Sequence, residues 1–375
     1  IAINSASDFN KIRQSLNGKY ILTSDIDLSD FNDWVPIGNL STPFKGSFDG
    51  NGYSITGLTI NSSTDYVGLF GYTDKATISN VALEDINVTG KERAGGLVGY
   101  ARNSTTITNS YATGSITGTV EVGGLVGRVF TSTEITNSYA TGSVTGTSEV
   151  GGLVGWVGGS TISNSYATGT VMGENHTGGL VGWARHSSSI ENSYATGSVS
   201  GTGERTGGLV GYVHGAGAEI SNSYATGSVS GTGDYTGGLV GYAYRSPITN
   251  SYATGSVMGT GNNTGGLVGC ANGSTITNSY ATGSVTGASS VGALVGRMYN
   301  ANGYYCRVEY SYALNLGLPL IGSEDVDSGG SSDRNIITGS KLLSHYEMKQ
   351  RNSYSGWNFN TIWQIDEGVS YPTLR

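Results

Sequence analysis

This sequence repeats itself with nearly constant spacing. The Leu of a GGLVG-type motif recurs every 27 to 30 residues, at Leu69, Leu97, Leu125, Leu153, Leu180, Leu209, Leu239, Leu267 and Leu294. Each unit holds three short stretches of β-branched and aromatic residues bounded by Gly, Asn, Ser or Thr, a pattern typical of β-strands. Three such strands cannot bury a core alone, whereas stacked copies of them can.

The constant spacing indicates that the units stack in register. In a stack of parallel strands each residue lies above its counterpart in the neighbouring coil, so insertions fit only at turns. The length differences do fall in one turn, between the third stretch of a unit and the next GGLVG. We therefore predict an all-β fold, a right-handed parallel β-solenoid of about nine coils with about 28 residues in each.

The Asn of a recurring NSYATG motif is predicted to turn one corner of each coil. Asn tolerates the left-handed backbone region, and its amide can bond the same residue one coil away. The predicted corner residues are Asn109, Asn137, Asn164, Asn192, Asn222, Asn250 and Asn278. The alternative is an ordinary polar turn.

The two ends depart from the repeat and are predicted to cap it, because the open edges of a solenoid invite pairing with other chains. The predicted segments are residues 1–64 as an N-terminal cap, 65–315 as the solenoid and 316–375 as a C-terminal cap. A short helix is predicted over residues 6–16. A loop over 322–334 and a second helix over 338–350 are predicted to precede a Trp-rich final segment.

Composition narrows the classes of partner. Charged residues make up only 12% of the chain, and the net charge is −8 at pH 7. No Lys/Arg cluster occurs, so we expect no nucleic-acid partner. No apolar run approaches the roughly 20 residues that a membrane-spanning helix needs, so we expect no membrane span. The sequence begins at Ile1 rather than Met, which suggests a processed or trimmed N-terminus.

Two further patterns concern covalent chemistry. Cys270 and Cys306 are too few for a disulfide scaffold but allow one bridge, within the chain or between chains. The Asn-x-Ser/Thr pattern of N-glycosylation occurs at Asn39, Asn61, Asn87, Asn103, Asn175, Asn262 and Asn272. Since a Ser- and Thr-rich chain produces such matches by chance, they support a surface location only weakly.

The sequence shows no catalytic pattern. The four His residues form no metal-binding motif, and the Gly-rich matches lack the strand-then-helix context that phosphate loops need. Acidic residues recur in the turn before GGLVG, where they are either solvated charges or a weak cation site. We therefore expect no cofactor, no metal and no enzymatic activity.

The combination of GGLVG and NSYATG at this spacing resembles the GLUG-motif repeats of secreted and cell-surface proteins of bacteria and archaea. The resemblance covers about residues 65–315, and the flanks FKGSFDGNGYSITGL and GWNFNTIWQIDEGVSYPTLR resemble the segments that bracket such arrays. It implies a β-solenoid on the cell exterior. It implies no single activity, because such arrays occur in adhesins, in surface-layer-like proteins and beside enzymatic domains, and no catalytic residue carries over.

The adjacent Leu and Val of GGLVG raise a question about exposure. Neighbouring side chains of a strand point to opposite faces, so an inward Leu97 would leave Val98 and the residue two positions later outside. That later position forms a predicted apolar stripe of Tyr72, Tyr100, Trp156, Trp183, Tyr212 and Tyr242. The alternative is that another part of the chain covers the stripe, or that both faces are internal.

Two functions follow from an exposed stripe. The first is an extracellular structural or adhesive protein that forms a sheath, surface layer or fibre, in which the stripe contacts other copies of the chain. The second is a carbohydrate-binding or polysaccharide-degrading protein, in which the stripe contacts glycans. We favour the first, because catalysis needs an irregular constellation and the repeats are uniform.

Overall fold

The computed structural model describes residues 1–31, 34–300, 303–325 and 335–375. Each coil pairs with the next in parallel, and the pairing follows the repeat residue for residue. Ile107, for example, pairs with Ile78 on one side and Ile135 on the other. The predicted parallel β-solenoid is confirmed.

Four parallel sheets, numbered here 1 to 4, run along the rod. Sheet 1 consists of Ala2–Ile3, Lys19–Leu22, Ser47–Asp49, Thr77–Ser79, Thr106–Thr108, Glu134–Thr136, Thr161–Ser163, Ser189–Glu191, Glu219–Ser221, Ile248–Thr249, Thr275–Thr277, Arg307–Glu309 and Ile336–Thr338. Sheet 2 consists of Ile26–Asp27, Ser54–Thr56, Thr59–Asn61, Ala82–Thr89, Tyr111–Thr117, Tyr139–Ala140, Ser143–Thr145, Tyr166–Ala167, Val171–Gly173, Tyr194–Ala195, Val199–Gly201, Tyr224–Ala225, Val229–Gly231, Tyr252–Ala253, Val257–Gly259, Tyr280–Ala281, Val285–Thr286, Tyr312–Leu314 and Lys341–Leu343.

The other two sheets flank the GGLVG motif. Sheet 3 consists of Glu92–Gly95, Val120–Gly123, Ser148–Gly151, Asn175–Gly178, Thr206–Gly207, Thr236–Gly237, Asn262–Gly265 and Ser289–Gly292. Sheet 4 consists of Phe70–Asp74, Val98–Arg102, Val126–Phe130, Val154–Gly158, Val181–Arg185, Val210–His214, Val240–Tyr244, Val268–Asn272, Val295–Tyr299 and Ile321–Asp325. A small antiparallel pair, Trp363–Gln364 with Thr373–Leu374, lies near the C-terminus.

The solenoid has about 11 turns rather than the predicted nine. The additional turns lie in the predicted caps, so the sheets cross the predicted segment boundaries without a break. Their sequences lack both motifs, yet they keep an inward apolar residue in register, as with the buried Phe48 and Leu343. A coil needs only this inward apolar residue in order to stack. The number of GGLVG and NSYATG motifs is therefore smaller than the number of turns.

The structure answers the question that the Leu-Val pair raised. Leu97 and Val98 both have 0% exposure. The chain bends at Gly96 and Leu97, between a strand of sheet 3 and a strand of sheet 4. Alternation holds only within one strand, so the bend lets both side chains point into the core. The prediction that one of them lies outside is wrong.

Glycine permits the close approach of strands around this bend. A Cβ atom added to Gly127, the last glycine of its motif, would lie 2.5 Å from the carbonyl carbon of Arg93. A separation below 3.0 Å is too close for a Cβ atom and a backbone atom. The backbones of sheets 3 and 4 therefore lie in direct contact at Gly127, and a residue with a Cβ atom does not fit at this position.

The predicted Asn corner is confirmed. Asn109 and Asn137 adopt φ of 50° and 51°, in the left-handed region. The Asn137 amide nitrogen donates to the Asn109 side-chain oxygen at 3.3 Å. The following Ser is buried, and its backbone N–H donates to the hydroxyl of the next Ser, as Ser138 does to Ser165 at 3.1 Å. The Ser ladder and, at several corners, the Asn bonds give polar groups of the turn a partner one coil away.

One of the two predicted helices forms. The 3-10 turn Ala6–Asp8 leads into the helix Phe9–Gln14, whose Phe9 ring packs on Trp34 with 5.0 Å between ring centroids. The C-terminal helix prediction is wrong, because Ile336–Thr338 and Lys341–Leu343 are strands.

The reason is that stacking supplies partners that a local pattern does not reveal. Leu343 pairs with Leu314 of the preceding coil and is fully buried, which outweighs any helical tendency. Only the 3-10 turns Glu347–Lys349 and Arg351–Ser353 follow. Of the predicted loop over 322–334, residues 322–325 lie in a strand, and residues 326–334 lie outside the described part of the chain.

Candidate functional site

The predicted stripe exists as a column of in-register side chains in sheet 4, here called the bend column. Its members are Tyr72, Tyr100, Arg128, Trp156, Trp183, Tyr212, Tyr242, Cys270 and Arg297. The six predicted aromatic residues are thus brought into one line. Trp183 and Tyr212, for example, have ring centroids 5.5 Å apart.

The bend column is not an exposed apolar surface. Tyr72 and Trp156 are buried, and the other predicted aromatic members are half-buried. Their cover comes from the segment that precedes each strand of sheet 4, either within a strand of sheet 3 or just before it. One residue of each segment has left-handed φ: Tyr66, Arg93, Glu121, Glu149, His176, Arg205 and Tyr235. The Arg205 guanidinium, for instance, lies 4.7 Å from the ring centroid of Tyr212. The expectation of a continuous exposed stripe is therefore corrected: the chain covers its own aromatic column.

Ion pairs hold this cover in place. Glu121 is buried between two arginines, with N–O distances of 2.8 Å to Arg93 and 2.8 Å to Arg128. Burial raises the pKa of Glu121, and the two guanidinium groups oppose that rise. Further along, His176 contacts Glu149 at 3.1 Å through Nδ1 and Arg205 at 2.8 Å through Nε2. These charged groups are engaged with one another rather than presented to a substrate.

A second aromatic column, here called the tyrosine ladder, lies in sheet 2. It runs through Tyr111, Tyr139, Tyr166, Tyr194, Tyr224, Tyr252 and Tyr280, with Tyr312 in register as its last rung. Neighbouring rings from Tyr111 to Tyr280 are stacked 4.7 to 5.0 Å apart, with interplanar angles of 3° to 9°.

These tyrosines mark the repeat in the sequence but are not among the predicted site residues. A signal was present, because each Tyr is followed by Ala. The alanines are buried, as Ala140 is at 1% exposure, so the preceding tyrosines point outward. Stacking hides the ring faces and leaves the ring edges and hydroxyl groups at the surface.

The C-terminal cap, defined here as residues 344–375, covers the last three rungs. Tyr252, Tyr280 and Tyr312 are buried beneath it. The Trp363 ring lies 6.1 Å from that of Tyr252 and 6.0 Å from that of Tyr280. The Tyr280 hydroxyl donates to the Pro372 carbonyl at 2.5 Å. The ladder therefore binds a Trp-containing segment through ring edges and hydroxyl groups.

The remaining rungs, Tyr111 to Tyr224, are half-buried and carry no such cover. Burial raises the pKa of Tyr139, Tyr194 and Tyr224, so their hydroxyl groups stay protonated and able to donate. Where the cap ends, a cleft of about 330 Å³ opens between the rungs Tyr194 and Tyr224 and the cap.

The two cysteines do not form the predicted bridge. Both thiols are free and buried, Cys270 at 2% and Cys306 at 0% exposure. The Cys306 thiol instead donates to the carbonyl oxygens of Ala271 at 3.1 Å and Tyr299 at 3.2 Å. Burial raises the pKa of Cys270 to about 12. Because both side chains lie inside the coils, a bridge between chains has no access to either.

The seven candidate glycosylation sites differ in accessibility. Asn39, Asn61, Asn87 and Asn262 are exposed, whereas Asn103 and Asn175 are half-buried. Asn272 is buried, and its amide donates to the Tyr242 hydroxyl at 2.9 Å. A glycan on Asn272 is incompatible with this packing, so Asn272 is not a glycosylation site. Glycosylation of the other six Asn residues stays a prediction.

The described residues contain neither a metal-ligand cluster nor a membrane-spanning helix. No group of three or more His, Cys, Asp or Glu side chains in residues 1–31, 34–300, 303–325 and 335–375 is arranged to hold a metal ion. Within the same ranges, no helix has the length and apolar character of a membrane span.

Comparison with known families gives a specific match. A family described as "The GLUG motif" matches seven segments that together span just over half of the chain: 90–117, 118–145, 146–172, 173–200, 202–230, 232–258 and 260–286. The match agrees with the repeat positions described above.

Two curated proteins share part of the sequence. Halomucin of Haloquadratum walsbyi is 38% identical over 109 residues, which is 25% of this chain and 1% of Halomucin. A Gly-rich membrane protein of Evansella cellulosilytica is 38% identical over 96 residues, which is 24% of this chain and 11% of that protein. The chain thus matches only a small part of the length of either relative.

Two solved structures are similar in shape. A Bacteroides ovatus protein described as an immunoglobulin A1 protease matches with 20% identity and a TM-score of 0.49, over 100% of this chain and 91% of that one. A structure described as IgA1 protease matches with 19% identity and a TM-score of 0.42, over 89% of this chain and 23% of that one. Likeness at this level says nothing about the activity of this chain.

Proposed function

Since the chain belongs to the family of proteins built from the GLUG motif, we propose that it is an extracellular structural protein of the cell surface. We propose further that copies of it associate side by side, as subunits of a sheath, surface layer or fibre, or in an adhesin. The names of Halomucin and of the Gly-rich membrane protein support a surface location. The proposal includes no catalytic role, because the Glu121, Arg93 and Arg128 side chains at the bend column are engaged in ion pairs with one another.

The observation that carries this proposal is the contrast within the tyrosine ladder. The chain buries three rungs under its own Trp-rich cap and leaves five rungs, Tyr111 to Tyr224, without cover. These rungs are half-buried by their own stacking, and a continuous row of aromatic edges on which no described Arg or His side chain stacks is typical of a surface that contacts a partner. The contact surface of the proposed assembly is therefore the tyrosine ladder, in place of the bend column that the sequence indicated.

The size of this surface favours an assembly of many copies over an isolated dimer. The five uncovered rungs are stacked 4.7 to 4.8 Å apart, so they extend over about 19 Å. A stable pairwise interface buries about 800 Å² on each partner, which a row of half-buried side chains does not reach alone. In an assembly of many copies, each chain makes several weak contacts at once, and their combined affinity exceeds that of any one contact.

Analytical ultracentrifugation of the full chain tests the proposal. We expect association that rises with protein concentration and is lost when Tyr139, Tyr166 and Tyr194 are all replaced by Ser. Leu40→Ser is the matched control, because Leu40 is 58% exposed and lies away from the ladder, so its association should equal that of the unaltered chain. A monomer at all concentrations, or equal association by the triple variant, would contradict the proposal.

A further inference from the structure

The cleft between the tyrosine ladder and the C-terminal cap differs from the rest of the ladder because two surfaces meet there. Two neighbouring coils contribute one Asn-Tyr pair each, Asn192 with Tyr194 and Asn222 with Tyr224. The cap contributes the apolar side chains of Ile362 and Leu374 from the opposite side. The cavity of about 330 Å³ lies at the lower end of the range for small-ligand sites.

Three polar groups of the ladder wall have no protein partner among the described residues, namely the Asn192 side-chain amide and the Tyr194 and Tyr224 hydroxyls, whereas the Asn222 oxygen accepts from the Asn250 amide at 3.1 Å. Amide-to-amide bonds join the corner residues Asn80, Asn109 and Asn137, and they join Asn222, Asn250 and Asn278. Between these two runs, no side-chain bond in the described coils ties Asn192 to a neighbouring corner. The Tyr280 hydroxyl is bound by the cap, whereas the Tyr194 and Tyr224 hydroxyls have no acceptor among the described residues.

The cap side of the cleft consists of the apolar Ile362 and Leu374 side chains together with Thr361. The Arg375 side chain also borders the cleft, but it already donates to the carbonyl oxygens of Trp363 at 3.0 Å and Phe359 at 3.0 Å. These bonds hold the guanidinium against the cap. No Asp, Glu, Lys or His side chain lines the cleft. The site thus offers hydroxyl and amide groups on the ladder side, and on the cap side two apolar side chains beside the polar Thr361 and Arg375.

We propose that this cleft binds a sugar unit of a neutral polysaccharide. A pyranose ring has hydroxyl groups that both donate and accept, which match the Asn192 amide and the Tyr194 and Tyr224 hydroxyls. Its C–H face matches the Ile362 and Leu374 side chains. Stacking of the sugar on a tyrosine face does not contribute, because each ring face is covered by the next rung. An acidic polymer is disfavoured by the net charge of −8.

The ladder extends the site beyond one sugar unit. Asn164 with Tyr166 repeats the same pair of groups in the next coil, and Tyr139 adds a further hydroxyl, with rings 4.7 to 4.8 Å apart, whereas the Asn137 amide is already bonded to Asn109. A linear chain that leaves the cleft therefore meets a tyrosine hydroxyl at each step and, at Asn164, a second Asn side chain without a partner among the described residues. Affinity should rise with the length of the oligosaccharide until the uncovered rungs are used.

Isothermal titration of the full chain with neutral gluco-, manno- and chito-oligosaccharides of one to six units tests this inference. We expect saturable binding by at least one series, with affinity that increases with length. The double variant Asn192→Ala with Tyr194→Phe should bind about tenfold more weakly, since it removes two hydrogen-bonding groups and keeps the ring stack. Asn61→Ala is the matched control, an exposed Asn outside the cleft, and should bind normally.

Three outcomes would overturn the inference: no saturable binding in any series at millimolar sugar, unchanged affinity in the folded double variant, or a preference for anionic polymers or peptides. Thermal unfolding of each variant establishes that it is folded. The inference does not depend on self-association, because sedimentation of the same samples without sugar reports separately on assembly.

Discussion

The bend column and the tyrosine ladder are two aromatic columns of one solenoid. They differ in what covers their side chains. The bend column is chemically mixed, and its members are covered by Arg, Glu and His side chains of the adjacent strand. The tyrosine ladder is uniform, and its rings cover one another face to face. The mixed column is closed by complementary neighbours along its length, whereas the uniform stack has its edges covered only where the C-terminal cap lies on it. The open edge, not the covered column, is available to a partner.

Thiol chemistry separates the two columns most strongly. Cys270 belongs to the bend column, and its pKa of about 12 leaves it about a thousandfold less ionised at pH 8 than an ordinary thiol. In a Cys306→Ser background, we expect Tyr166→Cys on the ladder to react with Ellman's reagent at least about a thousandfold faster than Cys270. Fast reaction of Cys270 in the folded chain would show that the bend column is open.

Removal of the cap contact should cost the most stability. Trp363 is fully buried against Tyr252 and Tyr280, so Trp363→Ala should destabilise the cap by about 3 to 5 kcal/mol. Hydrogen exchange should then rise in residues 344–375 while the central coils stay protected. Tyr346→Ala is the control, because Tyr346 is 73% exposed, and it should change little. Equal protection of the cap in both variants would contradict the described docking.

A methyl group in the bend should cost somewhat less. Gly127→Ala places a Cβ atom 2.5 Å from the Arg93 carbonyl carbon and should lower the free energy of unfolding by about 1 to 3 kcal/mol. Chemical denaturation measures this change, with Ser200→Ala on the exposed surface as the control. A variant as stable as the control would mean that sheets 3 and 4 are further apart than described.

The smallest effect is expected on the ladder surface. Tyr166→Phe keeps the ring stack and removes only a hydroxyl group at the surface, so its stability should change by no more than about 0.5 kcal/mol. Thermal unfolding beside the unaltered chain measures the difference. A large loss would imply that the hydroxyl groups, and not the stacked rings, stabilise the ladder.

The sequence was sufficient to predict the features that recur in every coil. Stacking makes each residue depend on its counterpart one repeat away, so the register and the Asn corners follow from spacing alone. The direction of the Leu-Val pair did not follow, because alternation rules apply within a strand and the bend lies between two strands. The covered part of the ladder could not be predicted either. Tyr280 bonds to Pro372, which lies 92 positions later in a segment without the repeat, so spacing does not relate the two residues.

Because of the position of the C-terminal cap, the number of uncovered tyrosines depends on the number of repeats. The cap docks on the three rungs that immediately precede it, so it would follow the end of a longer or shorter array. Each inserted repeat would lengthen the rod by about 4.8 Å and add one uncovered tyrosine without altering the others. Duplication or loss of one repeat would thus raise or lower by one the number of uncovered tyrosines that one molecule carries.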